Sequence, residues 1–204
     1  WQGLPTCSGQ MTLLPLAAVF AGRPEQAYRA AYELGFFDNG FGKDLNSALV
    51  AGLAEALVTP GKGRSARETF EVVTGTMRGT DPFRYGRIRW TERAVDRWLN
   101  LAERLVRDAA GEPARLFEGL EREFSGTTKW EAQVPFVVVF ACFELAEYDP
   151  LAALQLTLEW GHDTDSYAQV AGALAGALHG AGLFPAAWRE TVVGRLRADH
   201  GVDL

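Results

Sequence analysis

The chain has 204 residues, of which 48% are hydrophobic and 23% charged, and its formal net charge is -6. That length can bury a sizeable core as one domain or a large part of one. Acids and bases are interspersed, which argues against a basic nucleic-acid surface.

Two cysteines, Cys7 and Cys142, lie far apart without metal-ligand spacing. A disulfide framework or a cysteine-based zinc site is therefore not expected, and a reducing, cytoplasmic setting is. The most apolar stretch, 134–146, is too short to cross a bilayer and contains Glu144, and no secretory signal is visible, so no membrane partner is expected.

In chain order, Pro24 and Gly35 bracket a first helix. Leu45, Ala48, Leu49, Leu53, Ala56 and Leu57 form an apolar stripe at helical spacing, begun by Asp44 and stopped near Pro60-Gly61. Ser65 and Glu68 make a capping box before Phe70, Val73 and Met77. Residues 36–43 and 79–89 read as loops. Ala94, Val95, Trp98, Leu101, Ala102, Leu105 and Val106 repeat every three or four residues, with Glu92, Arg93, Asp96, Arg97, Glu103 and Arg104 on the opposite face, as in an amphipathic helix.

The run 135–140 is β-branched and aromatic, and by composition alone it suits a buried strand. The apolar stretch continues to Ala146, too long for a typical strand, so a buried helix is expected. Asp149-Pro150 opens a helix that runs to Trp160 and stops at Gly161. Pro185 starts a last helix, with Trp188, Val192 and Leu196 on its inner face. These elements predict an all-α domain.

The segment 160–180 reads as helix stop, tight turn, acidic helix start and a helix of small residues. Asp163 sits where an N-cap belongs, with Asp165 and Ser166 in the first turn. A cap residue is not helical, so both carboxylates can converge there. Two carboxylates and a hydroxyl form a hard oxygen site suited to Mg²⁺. The same Asp-Thr-Asp-Ser is also a good helix cap with no metal at all, and from these residues alone both readings stand. Ala168, Gly172, Gly176 and Gly180 recur at four-residue spacing. Each glycine costs a helix about 1 kcal/mol relative to alanine, so the ridge is expected to pack against a close neighbouring helix.

The stretch Gly161-His162-Asp163-Thr164-Asp165-Ser166, followed by Ala171-Gly172-Ala173-Leu174-Ala175-Gly176-Ala177-Leu178-His179-Gly180, resembles the C-terminal signature of the ADP-ribosylglycohydrolase family. Pro185 and Trp188 continue the pattern. Near the start, Met11, Pro15 and Leu16 match a second family segment, whose Gly-Asn-Gly and arginine are replaced here across Thr6-Cys7-Ser8-Gly9-Gln10 and at Thr12. The resemblance implies an orthogonal bundle of α-helices with two divalent ions, Mg²⁺ or Mn²⁺, in a cleft. It implies that Asp163, Asp165 and Ser166 bind metal, and that Cys7, Ser8, Gly9 and His162 lie near the substrate, with His162 either lining the cleft or filling space.

The resemblance further implies that residues 1–204 form the C-terminal portion of a single domain. The family's remaining ligands, a hydroxyl residue followed by two aspartates, and the acidic residue that positions the water belong to an N-terminal half. Neither is found in this sequence, so a further segment or a separate chain is expected to supply them. The implied activity is removal of ADP-ribose from a modified protein or a small-molecule conjugate. Hydrolysis of another ribosyl glycoside is the alternative, motivated by the altered 6–10 loop. A catalytically inactive structural or binding protein on the same fold is the third reading.

Overall fold

The computed structural model describes residues 5–59, 63–86 and 91–202. Among them are eleven α-helices and no strand. They are α1 (Ser8–Thr12), α2 (Leu16–Val19), α3 (Pro24–Leu34), α4 (Gly40–Ala56), α5 (Ala66–Gly79) and α6 (Ala94–Ala109). The others are α7 (Pro113–Glu123), α8 (Gln133–Leu145), α9 (Pro150–Glu159), α10 (Thr164–His179) and α11 (Ala186–His200).

Two inner rods organise the bundle. Every residue of α8 from Gln133 to Phe143 is buried, as a helix that is apolar all round must be. The ambiguous run 135–140 therefore forms a helix. No neighbouring strand is present to take up its N–H and C=O groups, and a helix pairs them internally. The second rod, α4, is buried along most of its length and carries the polar Asp44, Asn46 and Ser47 inside. It begins one turn before the expected start, so Asp44 does not open the helix. The expected stop at Pro60-Gly61, and part of the loop 79–89, lie outside the described residues.

The other helices pack around these rods, α3 and α5 on α4, α6 and α9 on α8, and α10 across both. The capping box forms as read: the Ser65 side chain accepts from the Glu68 N–H, and Glu68 accepts from the Ser65 N–H. Close approach of α4 and α5 depends on Gly52, where a Cβ would meet Met77 Cγ at 2.7 Å and Val73 Cγ1 at 3.0 Å.

Two expectations are corrected. The glycine ridge of α10 does not face a close helix, because a Cβ at Gly172, Gly176 or Gly180 would meet nothing within 4 Å. The helix instead buries its other side, through Tyr167, Val170, Leu174 and Leu178. The stripe on α11 is not an inner face either. That helix has no buried residue, and Trp188 and Val192 are 53% and 57% exposed. Among the described residues, no helix is long and apolar enough to cross a membrane.

Candidate metal and substrate site

The turn from α9 into α10 is built by two successive left-handed residues, Gly161 at φ 85° and His162 at φ 60°. A side chain at such a φ costs about 1–2 kcal/mol. His162 is exposed and holds Glu121 through its Nε2 while lying edge-on to Trp160. It thus lines the mouth of the turn and does not fill a gap in the core.

Asp163 occupies the N-cap of α10, yet its carboxylate accepts no capping bond from the helix N–H groups. It faces the Cys7 thiol, which lies 3.9 Å from Asp163 Oδ2 and 3.7 Å from Ser166 Oγ. Capping alone does not account for where this carboxylate points. Burial raises the Asp163 carboxyl above its ordinary range; the Ser166 hydroxyl opposes that and the neighbouring Asp165 adds to it. Asp165 follows in the first turn of α10. Ser166 is buried; its Oγ accepts from the Cys7 thiol at 3.7 Å and lies 3.2 Å from Met11 Sδ.

The facing wall is the 6–10 segment, in which Thr6 and Cys7 lead into the first residues of α1. It is tied to the entrance of α8 by a bridge between Thr6 and Glu131, by Cys7 N–H donating to Trp130 O at 3.0 Å, and by Gln10 Nε2 donating to Ala132 O at 2.7 Å. Beneath it lies Asp38, only 3% exposed. Its Oδ1 accepts from Thr6 Oγ1 at 2.9 Å and its Oδ2 from Asn46 Nδ2 at 2.6 Å, and the Gly9 backbone also bonds to it. Asp38 thereby holds both ends of the segment that presents Cys7 to the acidic turn. Gly9 is required by space, since a Cβ there would lie 2.3 Å from Asp38 Oδ2.

Asp38→Ala leaves the Asn46 and Thr6 donors without their acceptor. It is expected to lower unfolding stability by about 1–3 kcal/mol in chemical denaturation. A change under 0.5 kcal/mol would mean that the clamp does not tension the loop. Burial, opposed by these donors, raises the Asp38 carboxyl. The native state therefore binds more protons than the unfolded chain between the ordinary carboxylate range and that raised value. Stability should fall as pH rises through that window, and Asp38→Ala should flatten the slope.

Of the four residues expected near the substrate, Cys7 and Gly9 are buried, and only Ser8 and His162 are exposed. Asp38, Asn46 and Thr6 carried no signal in the sequence. Asp38 stands in the Phe- and Gly-rich stretch 36–43, which reads as an ordinary loop, and Asn46 interrupts an apolar helix. A cavity of about 560 Å³ lined by Tyr32, Phe41, Asp44, Arg93 and Trp98 shares no residue with the acidic turn. Donor chemistry, not cavity size, marks the turn as the site. Among the described residues, no group of three or more His, Cys, Asp and Glu side chains is arranged to hold a metal ion. Asp163, Asp165 and Ser166 nonetheless carry oxygen donors of the kind a hard cation takes.

A family model for ADP-ribosylglycohydrolase matches residues 1–202. The chain belongs to the ADP-ribosylglycohydrolase family. The match takes in the 6–16 segment together with the acidic turn, so the relationship extends over essentially the whole chain. No curated protein and no solved structure matches it. The all-α bundle agrees with an ADP-ribosylglycohydrolase fold, and the family is one of glycoside-cleaving hydrolases.

Proposed function

We propose that this protein is a metal-dependent hydrolase that cleaves the glycosidic bond at C1 of the ribose in an ADP-ribose conjugate. The observation that carries the reading is the N-cap carboxylate of Asp163, which forgoes capping to face Ser166 and the neighbouring Asp165. Asp163, Asp165 and Ser166 would hold one side of a pair of divalent cations, Mg²⁺ or Mn²⁺. A further segment or a second chain would supply the other side, with the residue that positions the attacking water. Such ions, when bound, orient the ribose hydroxyls and raise the hydroxide fraction of a bound water.

This chain's own residues perform the positioning. Asp38 fixes the 6–10 segment against the turn, and Ser8 and His162 are exposed beside it, where a polar substrate can reach them. The pairing of His162 with Glu121 sets the ring's orientation. Cys7, which stands in the segment where the family resemblance places Gly-Asn-Gly, is buried beside the turn and favours a second reading, hydrolysis of a different ribosyl glycoside.

The test is release of free ribosyl product from ADP-ribosylated protein, small-molecule ADP-ribose conjugates and other ribosides, with Mg²⁺ or with chelator. Chelator-sensitive release of ADP-ribose is the expected result. Release indifferent to chelator, or none from any riboside, would remove the proposal, and preference for a riboside lacking ADP would select the second reading.

A further inference from the structure

Away from the acidic turn, the cavity of about 560 Å³ has an aromatic lining that the fold leaves uncovered. We propose that this cavity binds a nucleoside monophosphate, a flat aromatic ring joined through a sugar to an anionic group. The inference goes beyond the hydrolase reading and stands without it, since cavity and turn share no residue.

Two aromatic pairs line the space, Tyr32 with Phe83, ring centroids 4.7 Å apart, and Phe41 with Trp98, 6.2 Å apart. They come from α3, α4, α6 and the segment after α5, so tertiary folding gathers them. None of the four rings is buried, whereas neighbouring Tyr28 is wholly so. Small-molecule sites are concavities of about 300–1,000 Å³ with such a lining and a few polar groups. Every nucleobase has a π-face, so these rings can stack on one whatever its edge carries.

Charge selects the rest of the ligand. Arg93, at the cavity wall, is spent: its five N–H groups go to Asp44 and to the carbonyls of Met77, Arg78 and Thr80. Arg97, one turn further along α6, differs. Its Cζ lies 4.7 Å from the Trp98 ring centroid, and among the described residues its guanidinium forms no ion pair or hydrogen bond. Lys43 likewise lies over Tyr32, Nζ 4.5 Å from the centroid, without an ion pair among the described residues. Arg29 and Arg78, by contrast, pair with Glu25 and with Asp96 and Glu103. A guanidinium resting on a lining ring, with its donors unspent, suits a phosphate, which it meets bidentately. Glu92, also in the lining, accepts from Asn100 through Oε1 and keeps Oε2 for a ribose hydroxyl.

The experiment is calorimetry with AMP, adenosine and inorganic phosphate, in chelator so that no divalent ion mediates binding. It is run on the wild type, Arg97→Gln, Phe83→Ala and Asp163→Asn, with circular dichroism to confirm folding. Phe83 is chosen because, at 38% exposed, it is the ring whose loss least disturbs packing. The wild type should bind AMP about tenfold or more tighter than adenosine, and phosphate more weakly than either. Arg97→Gln should bring AMP down to the adenosine level and leave adenosine unchanged. Phe83→Ala should weaken both about fivefold or more, and Asp163→Asn should bind AMP as the wild type does. No AMP binding at millimolar concentration, phosphate bound as well as AMP, or AMP affinity indifferent to Arg97→Gln and Phe83→Ala would overturn the proposal. AMP binding lost in Asp163→Asn would place the ligand at the acidic turn, overturning the cavity site and leaving the hydrolase reading intact.

Discussion

Replacing Asp163 by Asn is expected to lower kcat/KM for metal-dependent release of ADP-ribose by about 100-fold or more, with the fold intact. Loss of a single supporting group around a metal already costs about 10–100-fold, and this substitution removes the group proposed as a direct ligand. The substitution is nearly isosteric and takes away no capping bond, because the carboxylate makes none. It also removes a charge that burial and Asp165 disfavour in the metal-free protein. The variant should therefore melt no lower than wild type without metal. Millimolar Mg²⁺ or Mn²⁺ should raise the melting temperature of the wild type only, because an ion that binds only the native state stabilises it by mass action. Undiminished turnover, or an equal metal-induced shift in both proteins, would show that Asp163 holds no ion.

The second large effect lies away from the site. Arg93→Met is expected to destabilise the fold by about 3–5 kcal/mol, measured by chemical denaturation. Arg93 and Asp44 are 7% and 4% exposed, and the guanidinium makes a bidentate pair with Asp44, Nη2 to Oδ1 at 2.7 Å and Nε to Oδ2 at 3.0 Å. The same group donates to the carbonyls of Met77, Arg78 and Thr80, closing the end of α5. Methionine fills similar space but leaves a buried carboxylate without this cation and three carbonyls without this donor. The Tyr28 hydroxyl still reaches Asp44 and offsets a part of the loss. A cost below about 1 kcal/mol would mean that the pair repays its own desolvation and no more.

The helices were legible where periodicity and punctuation agreed. Ser65 and Glu68, Pro24 and Gly35, and Asp149-Pro150 each mark a terminus through local chemistry, which a sequence displays directly. The run 135–140 was legible because its length exceeded that of a strand. What could not be read was which face of a helix meets a neighbour. The small residues of α10 suggested close packing, yet its aromatic and branched side is buried, and Gly52, alone in an apolar stripe, marks the close approach. On α11 the pattern was read as an inner face, but position in the bundle, which no local rule sets, leaves it exposed.

The site divides in the same way. Asp163, Asp165 and Ser166 are neighbours in sequence, so the pattern that singles them out is local. Asp38 and Asn46 reach the site only through tertiary folding, by clamping the segment that carries Cys7. The contact of Cys7 with Asp163 spans most of the chain and has no signature in spacing.

Diffraction from crystals of the protein soaked in Mn²⁺, with anomalous differences recorded, tests the cation site most directly. A peak about 2.1–2.3 Å from carboxylate oxygens of Asp163 and Asp165 and from Ser166 Oγ is the predicted result. Carboxylates turned apart into solvent, with no anomalous peak between them, would contradict it.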